Sequence, residues 1–399
     1  MTPRRRGPRP LPMHLTLSAS VLTTSPAASL AARNGLISWN SSVAPQAERL
    51  SRALHDVDAD AFAAVVGAEA GRRLGFFIAG VRAYHEHPWR RSDRTLDVLW
   101  RSGSTSLLDY GGPGLPLLLV PSLINRSYIL DLGPGEGLCS WLRRNGARPL
   151  LLDWGEPGDM ESRFDLDAYI AHRLLPALEA ATAITGAAVP VLGYCMGGLI
   201  ALSGALARPD RVRGLALLAT PWDFHAGVLS WNAALAAVAA LASRPSAPPV
   251  PVDVVQALFA SIQPGNVETK FRAFARLDPD SDRARTFVAL EDWLNDGVPL
   301  VAGVAVDCLH GWYRDNLPAR RNWVSLGRTI DPGTLDCPVL VALPARDRIV
   351  PPESARALAD LISQATMIEP AAGHVGMVAG RRSLAALWQP VLSWLTTLE

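Results

Sequence analysis

Apolar and polar positions along the chain form blocks that predict strands followed by helices. Short, almost continuous apolar runs, typical of strands buried on both faces, recur from residue 115 onward. They lie at residues 115–120, 148–153, 189–192, 214–219 and 337–343. Apolar residues spaced three or four positions apart follow several of these runs, notably over 166–184 and 199–206. Strands that alternate with helices predict an α/β fold with a mostly parallel, doubly wound sheet.

The same pattern divides the chain into segments of different character. Residues 51–95 contain a helical period over 58–84 that predicts a helix pair. The strand-rich core occupies residues 96–221 and 336–399. Between the two parts of this core, residues 222–335 have a mostly helical pattern, which predicts a helical cap inserted before the last strands.

Residues 1–50 fit neither pattern, and three explanations stay open. Arg4, Arg5 and Arg6 precede a stretch rich in Ser, Thr, Ala and Pro, which superficially resembles an export signal. Because Ser and Thr interrupt its apolar part, we prefer a disordered extension or a misplaced start codon. No apolar run reaches the roughly 18 to 20 residues that a membrane-spanning helix requires.

Composition limits the classes of protein to which the chain can belong. It has 399 residues, of which 49% are hydrophobic and 19% charged, and its net charge is +1. These values indicate a soluble globular protein with a large core and give no reason to expect a nucleic-acid partner. The four cysteines show no paired or metal-binding spacing, so we expect a reducing, cytoplasmic location and neither a metal nor a cofactor.

The stretch Gly193–Gly198, with the sequence Gly-Tyr-Cys-Met-Gly-Gly, joins a predicted strand to a predicted helix. This pattern is the nucleophile elbow of the α/β-hydrolase fold, with Cys195 in the position usually held by serine. Gly193, Gly197 and Gly198 are required because the strand and helix backbones pass too close for a Cβ atom. The motif alone leaves one alternative open, a glycine-rich turn around a buried, unreactive cysteine.

Two residues downstream favour the catalytic interpretation. Asp347 follows the strand predicted at 337–343, and His374 follows a short strand predicted at 366–368. An α/β-hydrolase triad runs nucleophile, acid and histidine in this order along the chain. Cys195, Asp347 and His374 are therefore the predicted catalytic residues.

The fold also predicts which groups would surround a substrate. One oxyanion-binding N–H comes from Met196, which follows the nucleophile, and the second from the loop after residues 115–120, where Leu123 is the candidate. Aromatic residues of the cap would either line an acyl-binding tunnel or pack its core. They are Trp222, Phe224, Trp231, Phe271, Phe274, Phe287, Trp293 and Trp312.

Taken together, these motifs resemble those of polyhydroxyalkanoate synthases, most of all the short, class III type of catalytic subunit. The matching stretches follow the family's order over roughly residues 95 to 399 and are specific in combination. They are residues 120–132, 152–155, 166–170, 193–198, 347–352 and 373–376. In that family a cysteine, an aspartate and a histidine form the triad, which Cys195, Asp347 and His374 would provide here.

The resemblance implies an acyltransferase that polymerises (R)-3-hydroxyacyl-CoA thioesters into a polyester through an acyl-thioester on Cys195. Coenzyme A would then be part of the substrate, and either His374 or Asp347 would activate the hydroxyl acceptor. Short members of the family work with a second, non-catalytic subunit. An accessory subunit, a homodimer and a location at the surface of polyester granules are therefore expectations that one chain cannot decide.

Two other functions stay open. The first is a cysteine-dependent hydrolase of a thioester, polyester or lactone, because triad residues do not distinguish transfer to a hydroxyl from transfer to water. The elbow also resembles that of dienelactone hydrolases, but those chains are shorter and lack the cap and residues 121–132. The second is a granule or interaction protein without activity, which would have no reason to retain Cys195, Asp347 and His374.

Overall fold

The computed structural model describes residues 5–92, 94–133, 136–226 and 232–398. The strands are β1 (Asp97–Ser102), β2 (Thr105–Asp109), β3 (Pro116–Val120), β4 (Arg148–Asp153), β5 (Val189–Tyr194), β6 (Val212–Leu218), β7 (Val324–Ser325), β8 (Arg328–Thr329), β9 (Val339–Ala342) and β10 (Thr366–Ile368). The α-helices are α1 (Leu11–Arg33), α2 (Ala44–Ala53), α3 (Ala59–Glu86), α4 (Leu138–Arg144), α5 (Leu166–Tyr169), α6 (Leu175–Ala183), α7 (Met196–Ala207), α8 (Ala233–Ala242), α9 (Val252–Ile262), α10 (Asn266–Phe274), α11 (Asp282–Asn295), α12 (Ala302–Val306), α13 (Pro352–Ala359), α14 (His374–Ala379) and α15 (Gln389–Thr396). Segments of π-helix occupy Ile170–Leu174, Asp307–Arg314 and Leu384–Trp388. Within these described ranges, no helix is both long enough and apolar enough to cross a membrane.

The larger of two compact units consists of Arg90–Ile262 and Ala289–Glu399. Its described residues form an eight-stranded sheet with the order β1-β2-β4-β3-β5-β6-β9-β10. The pairings β1–β2 and β2–β4 are antiparallel, whereas every pairing from β4 to β10 is parallel. This arrangement confirms the predicted α/β fold with a mostly parallel sheet.

The central strands are buried on both faces, which explains their continuous apolar runs. Every residue of β3, β5 and β9 is buried. Because β3, β5, β6 and β9 are parallel, their carboxyl ends lie at one edge of the sheet. The turn after β5 carries Cys195 and the loop after β9 carries Asp347, so the topology places both at this edge.

The predicted cap, residues 222–335, is divided between the two units. Helices α8, α9 and α12 and the π-helix Asp307–Arg314 belong to the larger unit, whereas Gln263–Val288 belongs to the smaller one. The helical pattern identified the insertion as helical but carried no information on the partner against which each helix packs.

The smaller unit combines Met1–Trp89 with Gln263–Val288 around an aromatic cluster. The ring of Phe271 makes edge-to-face contacts with Phe77 and Tyr84, at centroid distances of 6.4 and 5.6 Å. These contacts join α3 to α10 and account for part of the apolar positions in the period over 58–84.

The N-terminal segment differs from the expected disordered extension. Residues 11–33 form α1, which packs against α3 and contributes Leu11 and Leu15 to the aromatic cluster. The predicted helix pair over 58–84 is instead one helix, α3, of 28 residues. Among the residues of α1, only His14 is fully buried, which is why the sequence shows no strong helical period there.

Gly71 and Gly80 of α3 form a matched pair that tests the contact between α3 and α10. A Cβ at Gly80 would collide with the backbone carbonyl oxygen of Phe271, whereas nothing lies within 4 Å of a Cβ at Gly71. Gly71→Ala should stabilise the chain by roughly 0.5–1 kcal/mol because alanine favours helix. Gly80→Ala should destabilise it by about 1–3 kcal/mol because packed backbone must move. Urea unfolding followed by circular dichroism measures both, and equal effects would contradict the close contact.

Candidate active site

Cys195 stands at the turn between β5 and α7 and has a strained backbone. Its φ of 57° and ψ of −128° lie in a region that residues other than glycine rarely adopt. Strain of this kind amounts to about 1–3 kcal/mol and persists only where the surroundings enforce it. Here the Cys195 N–H donates to the Leu218 carbonyl oxygen of β6, and the Cys195 carbonyl oxygen accepts from the Gly198 N–H, both at 2.9 Å. The turn holds a half-buried thiol at the N-terminus of α7.

Three glycines let β5 and α7 pass close enough to form this turn. A Cβ at Gly193 would lie 2.5 Å from the Cα of Gly198. A Cβ at Gly197 would overlap the carbonyl oxygen of Val120, and one at Gly198 would overlap the side chain of Thr220. These contacts give the physical reason for glycine at each of the three elbow positions.

Asp347 and His374 form a buried hydrogen-bonded pair next to Cys195. Nδ1 of His374 lies 2.6 Å from Oδ2 of Asp347. The other carboxylate oxygen accepts from the backbone N–H groups of Ile349 (2.8 Å) and Val350 (2.9 Å), which hold the carboxylate in place. The imidazole is also close enough to Cys195 for the charge of that side chain to act on it. The structure thus brings together the three residues that the sequence predicts as catalytic.

The surroundings of His374 favour the protonated imidazole. Burial by itself would lower the pKa of His374, but the charges of Cys195 and Asp347 and the hydrogen bonds to both raise it from 6.5 to about 10. These interactions favour the imidazolium form of a side chain that lies beside the Asp347 carboxylate. In this form it can donate a proton to a leaving group and afterwards accept one from an incoming hydroxyl.

Tyr194 supports His374 from β5, a role that the sequence motif does not reveal. The Tyr194 hydroxyl donates to the backbone carbonyl oxygen of His374 at 3.3 Å. The two rings lie 5.2 Å apart between centroids and are tilted by 34°. Because Tyr194 precedes Cys195, the end of one strand positions both the sulfur and the backbone that carries the imidazole.

The two predicted oxyanion donors lie in the turn after β5 and in the loop after β3. Met196 is the first residue of α7, so its N–H has no acceptor within the helix. In the loop after β3, the N–H of Ile124 already donates to the Ser122 hydroxyl at 3.2 Å. Leu123 therefore stays the predicted second donor.

Cys195 faces a cavity of about 110 Å³ within the larger unit. Its wall is mostly apolar and comes from loops at the carboxyl edge of the sheet, from α8, α9 and α12, and from the π-helix Asp307–Arg314. The cavity is of the same order as the roughly 150 Å³ cavity that holds a benzene molecule in another protein, so a short acyl chain fits. An apolar wall also limits the access of water to the sulfur.

Two of the predicted aromatic lining residues reach this cavity, and the others pack elsewhere. Phe224 and Trp312 line it, with stacked rings 5.4 Å apart between centroids. Tyr313 lines it as well, although the aromatic pattern did not single it out. The remaining predicted residues are Trp222 and Trp293, buried in the larger unit, Phe271, Phe274 and Phe287 in the aromatic cluster of the smaller unit, and Trp231, which lies outside the described residues.

The other cysteines have surroundings that suppress their reactivity. Burial raises the pKa of the Cys139, Cys308 and Cys337 thiols, which keeps them protonated and poorly nucleophilic near neutral pH. Cys308 nevertheless lines the same cavity as Cys195. Across the part of the chain that the structure describes, no group of three or more His, Cys, Asp or Glu side chains is arranged to hold a metal ion.

A model of the α/β hydrolase fold matches residues 116–380, which include β3, the elbow, Asp347 and His374. The chain belongs to the α/β hydrolase fold family. This membership confirms the fold class that the elbow motif indicated.

This α/β hydrolase is also similar to curated proteins named poly(3-hydroxyalkanoate) polymerase subunit PhaC. It is 30% identical to the protein from Haloferax mediterranei, over 75% of this chain and 63% of that protein. It is 29% identical to the protein from Haloarcula marismortui, over 70% of this chain and 60% of that protein. It is 27% identical to the protein from Allochromatium vinosum, over 70% of this chain and 80% of that protein. The match thus spans less than two thirds of the length of the first two relatives. The resemblance seen in the motifs is confirmed.

The raised pKa of His374 gives a pH-dependent test of the site. In NMR titrations of histidine-labelled protein, the His374 imidazole should titrate near pH 10, and Asp347→Asn should move the midpoint to lower pH because a negative charge is removed. His374→Gln assigns the resonance. Asp331→Asn, which changes a carboxylate paired with Arg321, serves as the control. A midpoint that Asp347→Asn leaves unchanged would contradict the described pair.

Proposed function

We propose that this chain is an acyltransferase that joins (R)-3-hydroxyacyl units from their coenzyme A thioesters into a polyhydroxyalkanoate, through an acyl-thioester on Cys195. The similarity to poly(3-hydroxyalkanoate) polymerase subunits supports the substrate class. The observation that carries the mechanism is a strained elbow cysteine that faces an apolar cavity beside the buried His374–Asp347 pair. A sulfur nucleophile suits a thioester, because exchange between two thioesters is nearly thermoneutral and keeps the acyl group activated.

In the first step, the Cys195 thiolate attacks the carbonyl carbon of the acyl-CoA. A carbon–sulfur bond forms and the carbonyl oxygen becomes an oxyanion, for which we assign the N–H groups of Met196 and Leu123 as donors. When this intermediate collapses, the bond to the coenzyme A sulfur breaks and the His374 imidazolium protonates the departing thiolate. The acyl group stays on Cys195, and His374 is left neutral.

In the second step, the 3-hydroxyl of another acyl unit attacks the acyl group on Cys195. We assign His374 as the base, because both oxygens of Asp347 already accept hydrogen bonds, one from His374 and the other from Ile349 and Val350. The new ester bond forms as the bond to Cys195 breaks. The proton taken from the hydroxyl remains on the imidazole, which restores the thiolate and imidazolium of the starting state.

A cysteine-dependent hydrolase is the second candidate, since membership of the α/β hydrolase family supports it. It would share the first step and then transfer the acyl group to water. The apolar wall around Cys195 favours transfer to a bound hydroxyl over transfer to water. The two candidates differ in their product, a polymer or a free hydroxy acid.

The proposal extends to assembly and location. Several relatives are named as subunits, which supports an assembly with an accessory subunit or with a second copy of this chain. We place this assembly in the cytoplasm at the surface of the polymer. Size-exclusion chromatography before and after addition of substrate measures whether the chain forms an oligomer.

Loss of the thiol at position 195 should abolish acylation. With 3-hydroxybutyryl-CoA, Cys195→Ala should release coenzyme A at least about 1,000-fold more slowly than the unmodified chain, because the nucleophile is absent. Intact-protein mass spectrometry should show no acyl adduct. Cys337→Ala is the matched control, since Cys337 is half-buried and outside the cavity, and it should retain both release and adduct.

The product of the same reaction separates the candidate functions. Polymer, detected as an insoluble ester that yields 3-hydroxybutyrate on alkaline hydrolysis, supports the synthase. Free 3-hydroxybutyrate without polymer supports the hydrolase. Neither product, with no release of coenzyme A, would indicate a protein without acyl-transfer activity. Coenzyme A release that persists in Cys195→Ala would contradict the proposed nucleophile.

A further inference from the structure

The cavity beside Cys195 contains a few polar side chains, and two of them are occupied by protein partners. The carboxylate of Asp223 accepts from the Asn316 side-chain amide at 2.8 Å. The hydroxyl of Ser354 accepts from the Trp222 backbone N–H at 3.2 Å. Both groups therefore have structural roles, which reduces their availability to a substrate.

Tyr313 differs because none of the described residues hydrogen-bonds its hydroxyl. The side chain lines the cavity, and its hydroxyl has no hydrogen-bond partner among the residues that the structure describes. The ring is held by an edge-to-face contact with Phe224, at 5.0 Å between centroids, and by packing against Leu235 and Leu309. The ring contacts thus hold the phenol in the wall of the cavity.

The electrostatics and the backbone around Tyr313 agree with a role at the reacting centre. Burial and then the charges of Cys195 and Cys308 raise the pKa of Tyr313, so the phenol stays neutral at working pH. The residue lies in the π-helix Asp307–Arg314, which also brings Cys308 and Trp312 to the cavity. Segments of π-helix often mark functional sites because they change the direction of side chains along a helix.

We propose that the Tyr313 hydroxyl hydrogen-bonds the 3-hydroxyl of an acyl group carried on Cys195, and so makes the site prefer 3-hydroxyacyl over unsubstituted acyl thioesters. This inference rests on the proposed function and names the residue that recognises the substrate class. An alcohol placed in an apolar cavity without a partner is strongly disfavoured. A phenol both donates and accepts a hydrogen bond, as an alcohol does, whereas the indole N–H of neighbouring Trp312 only donates.

The test compares two substrates that differ by one hydroxyl. Single-turnover acylation of Cys195 is measured with 3-hydroxybutyryl-CoA and with butyryl-CoA, as coenzyme A released and as adduct mass. The unmodified chain should react roughly ten-fold faster with the hydroxyacyl substrate, and Tyr313→Phe should remove this preference by slowing the hydroxyacyl reaction more than the butyryl reaction. Tyr128→Phe is the matched control, because its hydroxyl donates to Asp296 outside the cavity, and it should keep the preference.

The outcomes distinguish this inference from the function on which it rests. Release of coenzyme A from neither substrate by the unmodified chain overturns the proposed function and the inference together. Equal rates with both substrates in the unmodified chain overturn the inference alone. So does a Tyr313→Phe variant that slows both reactions equally, since a purely structural role would do that. If Trp312→Phe loses the preference for the hydroxyacyl substrate and Tyr313→Phe keeps it, the indole of Trp312 recognises the 3-hydroxyl. That result would also overturn the inference.

Discussion

The close passage of β5 past α7 is the physical constraint on which the site depends. Gly193, Gly197 and Gly198 allow this approach, and the turn between strand and helix then forces Cys195 into a backbone conformation that a residue with a side chain seldom adopts. The strain persists because β6 holds the Cys195 N–H, and β6 is held in turn between β5 and β9. The sheet therefore fixes the sulfur at its carboxyl edge.

The second requirement of the site is a buried imidazole that favours its charged form, and several strands help to position it. Asp347 follows β9, His374 begins α14, and Tyr194 ends β5, so the carboxylate, the imidazole and the tyrosine that supports the imidazole come from distant parts of the chain. The backbone N–H groups of Ile349 and Val350 fix the carboxylate, and the carboxylate fixes the imidazole. Burial alone would lower the pKa of His374 and favour the neutral imidazole, whereas Cys195 and Asp347 both raise this pKa.

The helical insertion supplies most of the side chains that surround Cys195 in the cavity. The proposed nucleophile, base and oxyanion donors would serve transfer to an alcohol or to water equally well. The difference lies in the cavity, where side chains from α8, α9, α12 and the adjoining π-helix surround the sulfur with apolar groups. In such surroundings, the hydrogen bond that we propose from the Tyr313 hydroxyl would have a large effect on which acyl group binds well.

The sequence by itself determined the fold class and the three residues at the centre of the site. Buried parallel strands leave continuous apolar runs, and an elbow requires glycines at set distances from the nucleophile, so both are visible without coordinates. It did not reveal α1, whose side chains are mostly not fully buried, or the division of the predicted cap between two units. Only the tertiary structure separated Phe224 and Trp312 from the aromatic residues that pack elsewhere, and only it showed the contacts of Tyr194 and the place of Tyr313 in the cavity wall. The physical reason is that local patterns record whether a residue is buried, whereas its partner across the fold is set by packing between segments far apart in the chain.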